Sequence, residues 1–122
     1  MSDKVVFTGY QEHISPFLDT MDVFVLCSRT TEGCSNAIFE ALVMGKPVVA
    51  TDVGGNREIV VEKVGFLVKP KDPLHLADTI MTILQDRKLL NQMSKNARIY
   101  GGHKFSQHAM VSAYEELYRE LN

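Results

Sequence analysis

Cysteine is scarce in this 122-residue chain: Cys27 and Cys34 are the only two. That is too few for a disulfide framework, and the pair lacks the spacing of a zinc site. A charge excess is missing as well. Lys and Arg number 13 against 15 Asp and Glu, for a formal net charge of −2, without the basic surplus or stripe of a dedicated nucleic-acid binder. No apolar run approaches the ~18 residues of a membrane span. Met1-Ser2-Asp3-Lys4 leads straight into a short apolar stretch and has no signal-peptide layout. There is no Gly-x-Gly-x-x-Gly and no Gly-x4-Gly-Lys-Ser/Thr loop, so neither a dinucleotide fingerprint nor a P-loop is supported. Ser28, Ser35 and Ser106 sit outside any nucleophile-elbow motif. His13, His75, His103 and His108 have no metal-ligand spacing and read as surface or core histidines. At 45% hydrophobic and 23% charged residues, the chain reads as one soluble, intracellular domain.

Short apolar runs alternate with helical patterns. Lys4–Thr8, Val23–Cys27, Pro47–Thr51 and Val64–Val68 are too short for helices and are bounded by polar or turn residues. Continuous apolar strands of this kind suit a sheet covered on both faces, hence a mainly parallel one of about four strands. Helices are expected at Ile14–Met21, Ser35–Met44 and Asn56–Val61. After Pro70 the strands stop. Asp72-Pro73 opens a helix, Asp86–Tyr100 forms another that Gly101-Gly102 breaks, and Ser106 caps a last one. The expected fold is α/β and Rossmann-like, with a C-terminal helical tail. Met21, Met44, Met81, Met93 and Met110 read as core filler, and both cysteines as small apolar groups.

The chemically informative segment runs from Ser28 to Met44. Between Ala37 and Gly45 the only polar residue is Glu40, which suggests a buried carboxylate with donors waiting for it. Glu32 lies on the loop before the helix, with seven residues between it and Glu40. Gly33 lets the backbone approach a ligand, and the free N–H groups of the first helical turn suit a phosphate. A ligand with hydroxyls at both ends and phosphate between them, such as a nucleotide-sugar, matches this order. Blander readings stand beside it. Ser35 or Asn36 can simply cap the helix, Glu40 can pair with Arg29 or Arg57, and Gly54-Gly55 can be a plain turn.

The stretch SRTTEGCSNAIFEALVMGKPVVATDVGGNREIV resembles the signature of the family-4 retaining glycosyltransferases, the glycosyl transferases group 1 family of GT-B architecture. Glu32 and Glu40 match its Glu-x7-Glu motif; the GKPVVAT strand entry, Gly54-Gly55 and Glu58 also fit. VVFTGYQ before the motif, and GFLVKPKDPLHLADTI and MVSAYEELY after it, extend the resemblance over nearly the whole chain.

The resemblance implies roles for individual residues. Glu32 would act in the catalytic centre by contacting and orienting the donor sugar. Gly33, Cys34 and Ser35 would offer backbone donors to sugar and diphosphate, with Asn36, Ala37 and Ile38 supplying the helix terminus. Glu40 would hold the ribose diol, and Gly9, Tyr10 and Gln11 would lie against the nucleobase. The implied reaction is glycosyl transfer with retention from a UDP- or GDP-linked donor, with no metal and no separate cofactor.

Two departures from the family pattern stand out. Cys27-Ser28 replaces the usual Pro-Ser. The N-terminal acceptor domain, the opening strands of the donor domain and its basic diphosphate clamp are absent, and Lys4, Arg29 and Lys46 do not match the clamp positions. Residues 1–122 therefore read as a truncated donor-binding domain that does not turn over alone. Its parent enzyme is expected to be cytoplasmic or at the cytoplasmic membrane surface. Self-association is expected through an open sheet edge at Lys4–Thr8 or through the last helix. Two alternatives stay open: a non-catalytic nucleotide-binding module, and a purely structural Rossmann-like piece.

Overall fold

The computed structural model describes residues 2–31, 33 and 35–121. A short 3-10 turn at Ser2–Lys4 is followed by residues 5–14, which form no helix or strand. Then come α1 (Ser15–Thr20), β1 (Phe24–Leu26), α2 (Asn36–Val43), β2 (Val48–Thr51), α3 (Asn56–Ile59) and β3 (Gly65–Val68). Three helices complete the chain: α4 (Pro73–Gln85), α5 (Arg87–Lys104) and α6 (Gln107–Glu120). The strands pair in parallel in the order β1-β2-β3, with Phe24 opposite Val48 and Val48 opposite Gly65.

All four residues of the central β2 are buried, as a parallel strand covered on both faces requires. Its side chains alternate between two cores. Val48 and Ala50 join Leu18, Ile38, Leu42 and Ile59 under α1, α2 and α3. Val49 joins Val68, Ile83 and Met93 beneath α4 and α5.

The sheet has three strands, not four. Residues 4–8 form no strand: Val6 and Phe7 are 80% and 95% exposed, and no described strand lies beside them to satisfy their backbone groups. A lone extended run has no ladder to stabilise it. The edges of the described sheet are β1 and β3 instead.

Helix boundaries follow local chemistry. Asp72, Asp86 and Ser106 cap α4, α5 and α6, accepting from the N–H groups of His75, Leu89 and Ala109. Gly45, at φ +72°, ends α2; the N–H groups of Gly45 and Lys46 donate to the carbonyls of Leu42 and Ala41. The expected break at Gly101-Gly102 does not occur, and α5 runs on to Lys104. Gly101 is buried where α5 meets α2, and a Cβ there would lie 2.7 Å from Leu42 C and Val43 N. Its small size serves close packing rather than helix termination.

Of the methionines read as core, Met93 is buried and Met21 and Met44 pack against the core, whereas Met81 and Met110 are exposed. No residue of α6 is buried, and Met110, Tyr114, Leu117 and Leu121 are all exposed. Cys27 is also exposed rather than buried as a small apolar group, because it follows the short edge strand β1.

Candidate functional site

The amino end of α2 is the centre of the candidate site. Ser35 sits at its N-cap with extended backbone, φ −76° and ψ 110°, yet its side chain makes no capping hydrogen bond. The capping role considered for Ser35 or Asn36 is therefore not what the structure shows. Among the described residues the first-turn N–H groups have no side-chain cap, and they carry the positive end of the helix dipole. Ser35 is buried, and Ile38 is fully buried in the core beneath the sheet face, so only its backbone can serve a ligand. Gly33 is exposed, with open space where a Cβ would stand. Glu32 and Cys34 lie outside the described residues.

The segment before α1 folds back to this helix end. Gly9, Tyr10 and Gln11 share a hollow of about 520 Å³ with Ala37 of the first turn of α2. Gln11 Nε2 donates to the Thr8 carbonyl at 2.8 Å, bracing the turn. Tyr10 is 92% exposed, so its ring is available for contact. The structure thus brings together Gln11 and Ala37, 26 positions apart in the sequence.

Glu40 is exposed, contrary to the expected buried carboxylate. The helix is not covered all round: α2 buries Ile38, Ala41 and Leu42, while Asn36, Glu40 and Val43 are exposed. Asn36 and Glu40 are one turn apart and line the same hollow of about 540 Å³, walled opposite by Lys104, Ser106 and Met110. A second hollow, of about 470 Å³, reaches Glu40 from the side of Glu12 and His13. Phe105 lines both hollows and stacks on Phe39 at a 4.3 Å centroid separation. Tyr100 meets Phe105 edge-on, and its hydroxyl donates to the Ile59 carbonyl at 3.0 Å. These aromatic contacts fix the α5–α6 corner against α2 and set the width of the cleft.

The structural ion pair considered for Glu40 does not form. Arg57 is bound elsewhere, donating from Nε and Nη2 to the two Asp52 carboxylate oxygens at 2.9 and 2.7 Å. This bidentate pair spans the Gly54-Gly55 turn. The Arg57 hydrogen bond and charge hold the Asp52 carboxyl below its usual range, and Asp52 raises Arg57 in return. Lys46 Nζ donates to the Asp19 carbonyl at 3.0 Å, tying the entry of β2 to α1.

Linear reasoning missed two features. The Asp52–Arg57 brace was hidden because five residues of irregular spacing carry no periodic signal. The wall formed by Lys104, Ser106 and Met110 belongs to the helical tail, far along the chain from Glu40. Among the described residues no group of three or more His, Cys, Asp or Glu side chains could hold a metal ion. No described helix is long and apolar enough to cross a membrane.

This frame is the Rossmann-like α/β fold of the GT-B glycosyltransferases. The family model described as Glycosyl transferases group 1 matches residues 1–86, and the chain belongs to that family. N-acetyl-alpha-D-glucosaminyl L-malate synthase of Bacillus anthracis is 30% identical over 122 residues, covering 99% of this chain and 32% of its own. The crystal structure of Anabaena HepE with UDP has a TM-score of 0.86 and 29% identity, covering 98% of this chain and 32% of its own. The C-terminal domain of a group 1 glycosyl transferase, LpcC of Francisella tularensis, has a TM-score of 0.73 and 27% identity, covering 84% of this chain and 53% of its own. The chain spans about a third of the length of the synthase and of HepE.

Proposed function

We propose that this chain is the donor-binding part of a retaining glycosyltransferase and holds a nucleotide-sugar at the amino end of α2. The observation that carries the reading is the hollow shared by Gly9, Tyr10, Gln11 and Ala37, beside a helix terminus that has no side-chain cap among the described residues. In this reading Gly9, Tyr10 and Gln11 lie against the base, and the backbone of Gly33 to Ile38 faces the diphosphate. Glu40, exposed and unpaired among the described residues, accepts from the ribose hydroxyls, and Glu32 orients the sugar. As the glycosyl bond breaks, oriented N–H dipoles stabilise the charge on the leaving diphosphate. Neither metal nor cofactor enters the scheme. UDP is the favoured leaving group because the relative HepE has been solved with UDP and with UDP-glucose.

The parent transferase supplies the acceptor domain and works in the cytoplasm or at the membrane surface. Calorimetric titration with UDP, GDP and ADP tests the donor site. Saturable binding of one nucleotide, weakened about tenfold or more in Glu40→Ala (~1.4 kcal/mol), supports the donor site. No heat with any nucleotide refutes it for this chain. Glu40 makes no packing contribution that the helix needs, so Glu40→Ala should change stability by less than ~0.5 kcal/mol.

A further inference from the structure

The carboxyl ends of all three strands open on a separate hollow of about 320 Å³. Cys27 follows β1, Thr51 ends β2 and Val68 ends β3, and all three line it. Ligands of open α/β sheets bind at this end of the strands. Three cations converge here, Arg29 from the loop after β1 and Lys69 and Lys71 from the loop after β3. Among the described residues none of the three is in a salt bridge. Asp72, the single acid of the lining among the described residues, has Oδ1 accepting from the His75 N–H as the cap of α4. The Thr51 hydroxyl is likewise engaged, donating to the Ser28 carbonyl at 2.7 Å.

Three cations without salt bridges in one concavity are unexpected in a chain whose net charge is −2. Among the described residues Asp72 is the one acid that shares the lining, so the three cations leave a net positive local field, in a space at the small end of the ~300–1,000 Å³ range of ligand clefts. Val68, Pro73 and Leu76 supply an apolar part of the lining. No residue of this lining belongs to the hollows beside Gly9–Gln11 or Glu40.

We propose that this hollow is an anion site for the phosphate of a small organic phosphate ester, separate from the nucleotide site at α2. Arg29, Lys69 and Lys71 hold the phosphate oxygens, and the apolar wall takes the organic group. The class fits a phosphorylated acceptor or product better than free phosphate, because an inorganic ion leaves the wall unused. The proposal stands whether or not the chain binds a nucleotide.

The test is an amide-resolved NMR titration of the full chain, without nucleotide, with phenyl phosphate and with inorganic phosphate. The variants are Arg29→Gln and Lys71→Gly. Lys71 lies at φ +59°, a conformation glycine adopts without strain, so the second variant removes the charge while sparing the turn. Phenyl phosphate should give saturable shifts at Cys27, Val68, Lys69 and Lys71, leaving residues 36–40 unmoved, and should bind several-fold tighter than inorganic phosphate. Each variant should weaken it by about three- to tenfold. Saturable shifts centred on residues 36–40, equal affinity for the two probes, unchanged affinity in both variants, or no saturable shift would each overturn the proposal.

Discussion

Replacing Gly101 by alanine tests how α5 seats on α2, the helix that presents the candidate site. Gly101 is buried, and a Cβ at this position would meet Leu42 C and Val43 N at 2.7 Å and Leu42 O at 3.0 Å. These are backbone atoms of a packed helix, so no side-chain rotation relieves the contact and α5 has to back away. Overpacking of this kind costs about 1–3 kcal/mol. Alanine returns part of that, because glycine in a helix is about 0.8–1.0 kcal/mol worse than alanine. The net expectation is a loss of up to about 2 kcal/mol. Gly102 is the internal control: it is exposed, in the same helix, and has nothing within 4 Å of a built Cβ. Gly102→Ala should therefore stabilise by up to about 1 kcal/mol. Urea unfolding of the two variants, with m values of about 1–3 kcal/mol/M, should separate their midpoints by about 0.5–1.5 M. Coincident midpoints, or a more stable Gly101→Ala, would refute the close-packing account and restore Gly101 to a mere helix breaker. Since Leu42 and Val43 follow Glu40 within one turn, the same variant should also weaken any nucleotide binding at α2.

Arg57→Gln probes the brace across the Gly54-Gly55 turn. Asp52 has a lowered pKa in the folded chain, chiefly through the Arg57 hydrogen bond. The pair's contribution is therefore present above the ordinary aspartate value of ~3.9 and lost as pH falls through the lowered one. Carboxyl NMR should show Asp52 titrating below the ordinary range in the wild type and moving back toward it in Arg57→Gln; an unmoved titration refutes the assignment. The stability effect near neutral pH should be small, because the Arg57 side chain is 74% exposed. The apolar residues exposed on α6 and at Val5–Phe7 should drive self-association at high concentration. Light scattering that finds a monodisperse monomer throughout would count against it.

Legibility in the sequence depended on how local each signal was. Periodicity and punctuation located β1, β2, β3 and the six described α-helices, because runs such as VFVLC and PVVAT and the residues Gly45, Asp72 and Ser106 act within one turn or one strand. The family resemblance was legible for the same reason: its motif is contiguous. The run KVVFT has the same local character, yet it forms no strand, since a strand exists only through a neighbour and the described sheet provides none beside it.

Burial and convergence were decided only by packing in three dimensions. Glu40 looked enclosed in an apolar helix, but α2 turns Ile38, Ala41 and Leu42 inward and leaves the Asn36–Glu40 face open to a cleft. Gly101 looked like a stop signal, and contact with the α2 backbone made it a spacer. Arg29, Lys69 and Lys71 were scattered charges until the parallel strand order brought their loops to one end of the sheet. Local chemistry acts through the few residues on either side and survives in linear order. Which face is covered, and which loops meet, follows from contacts between residues far apart in the chain, and no linear pattern records those.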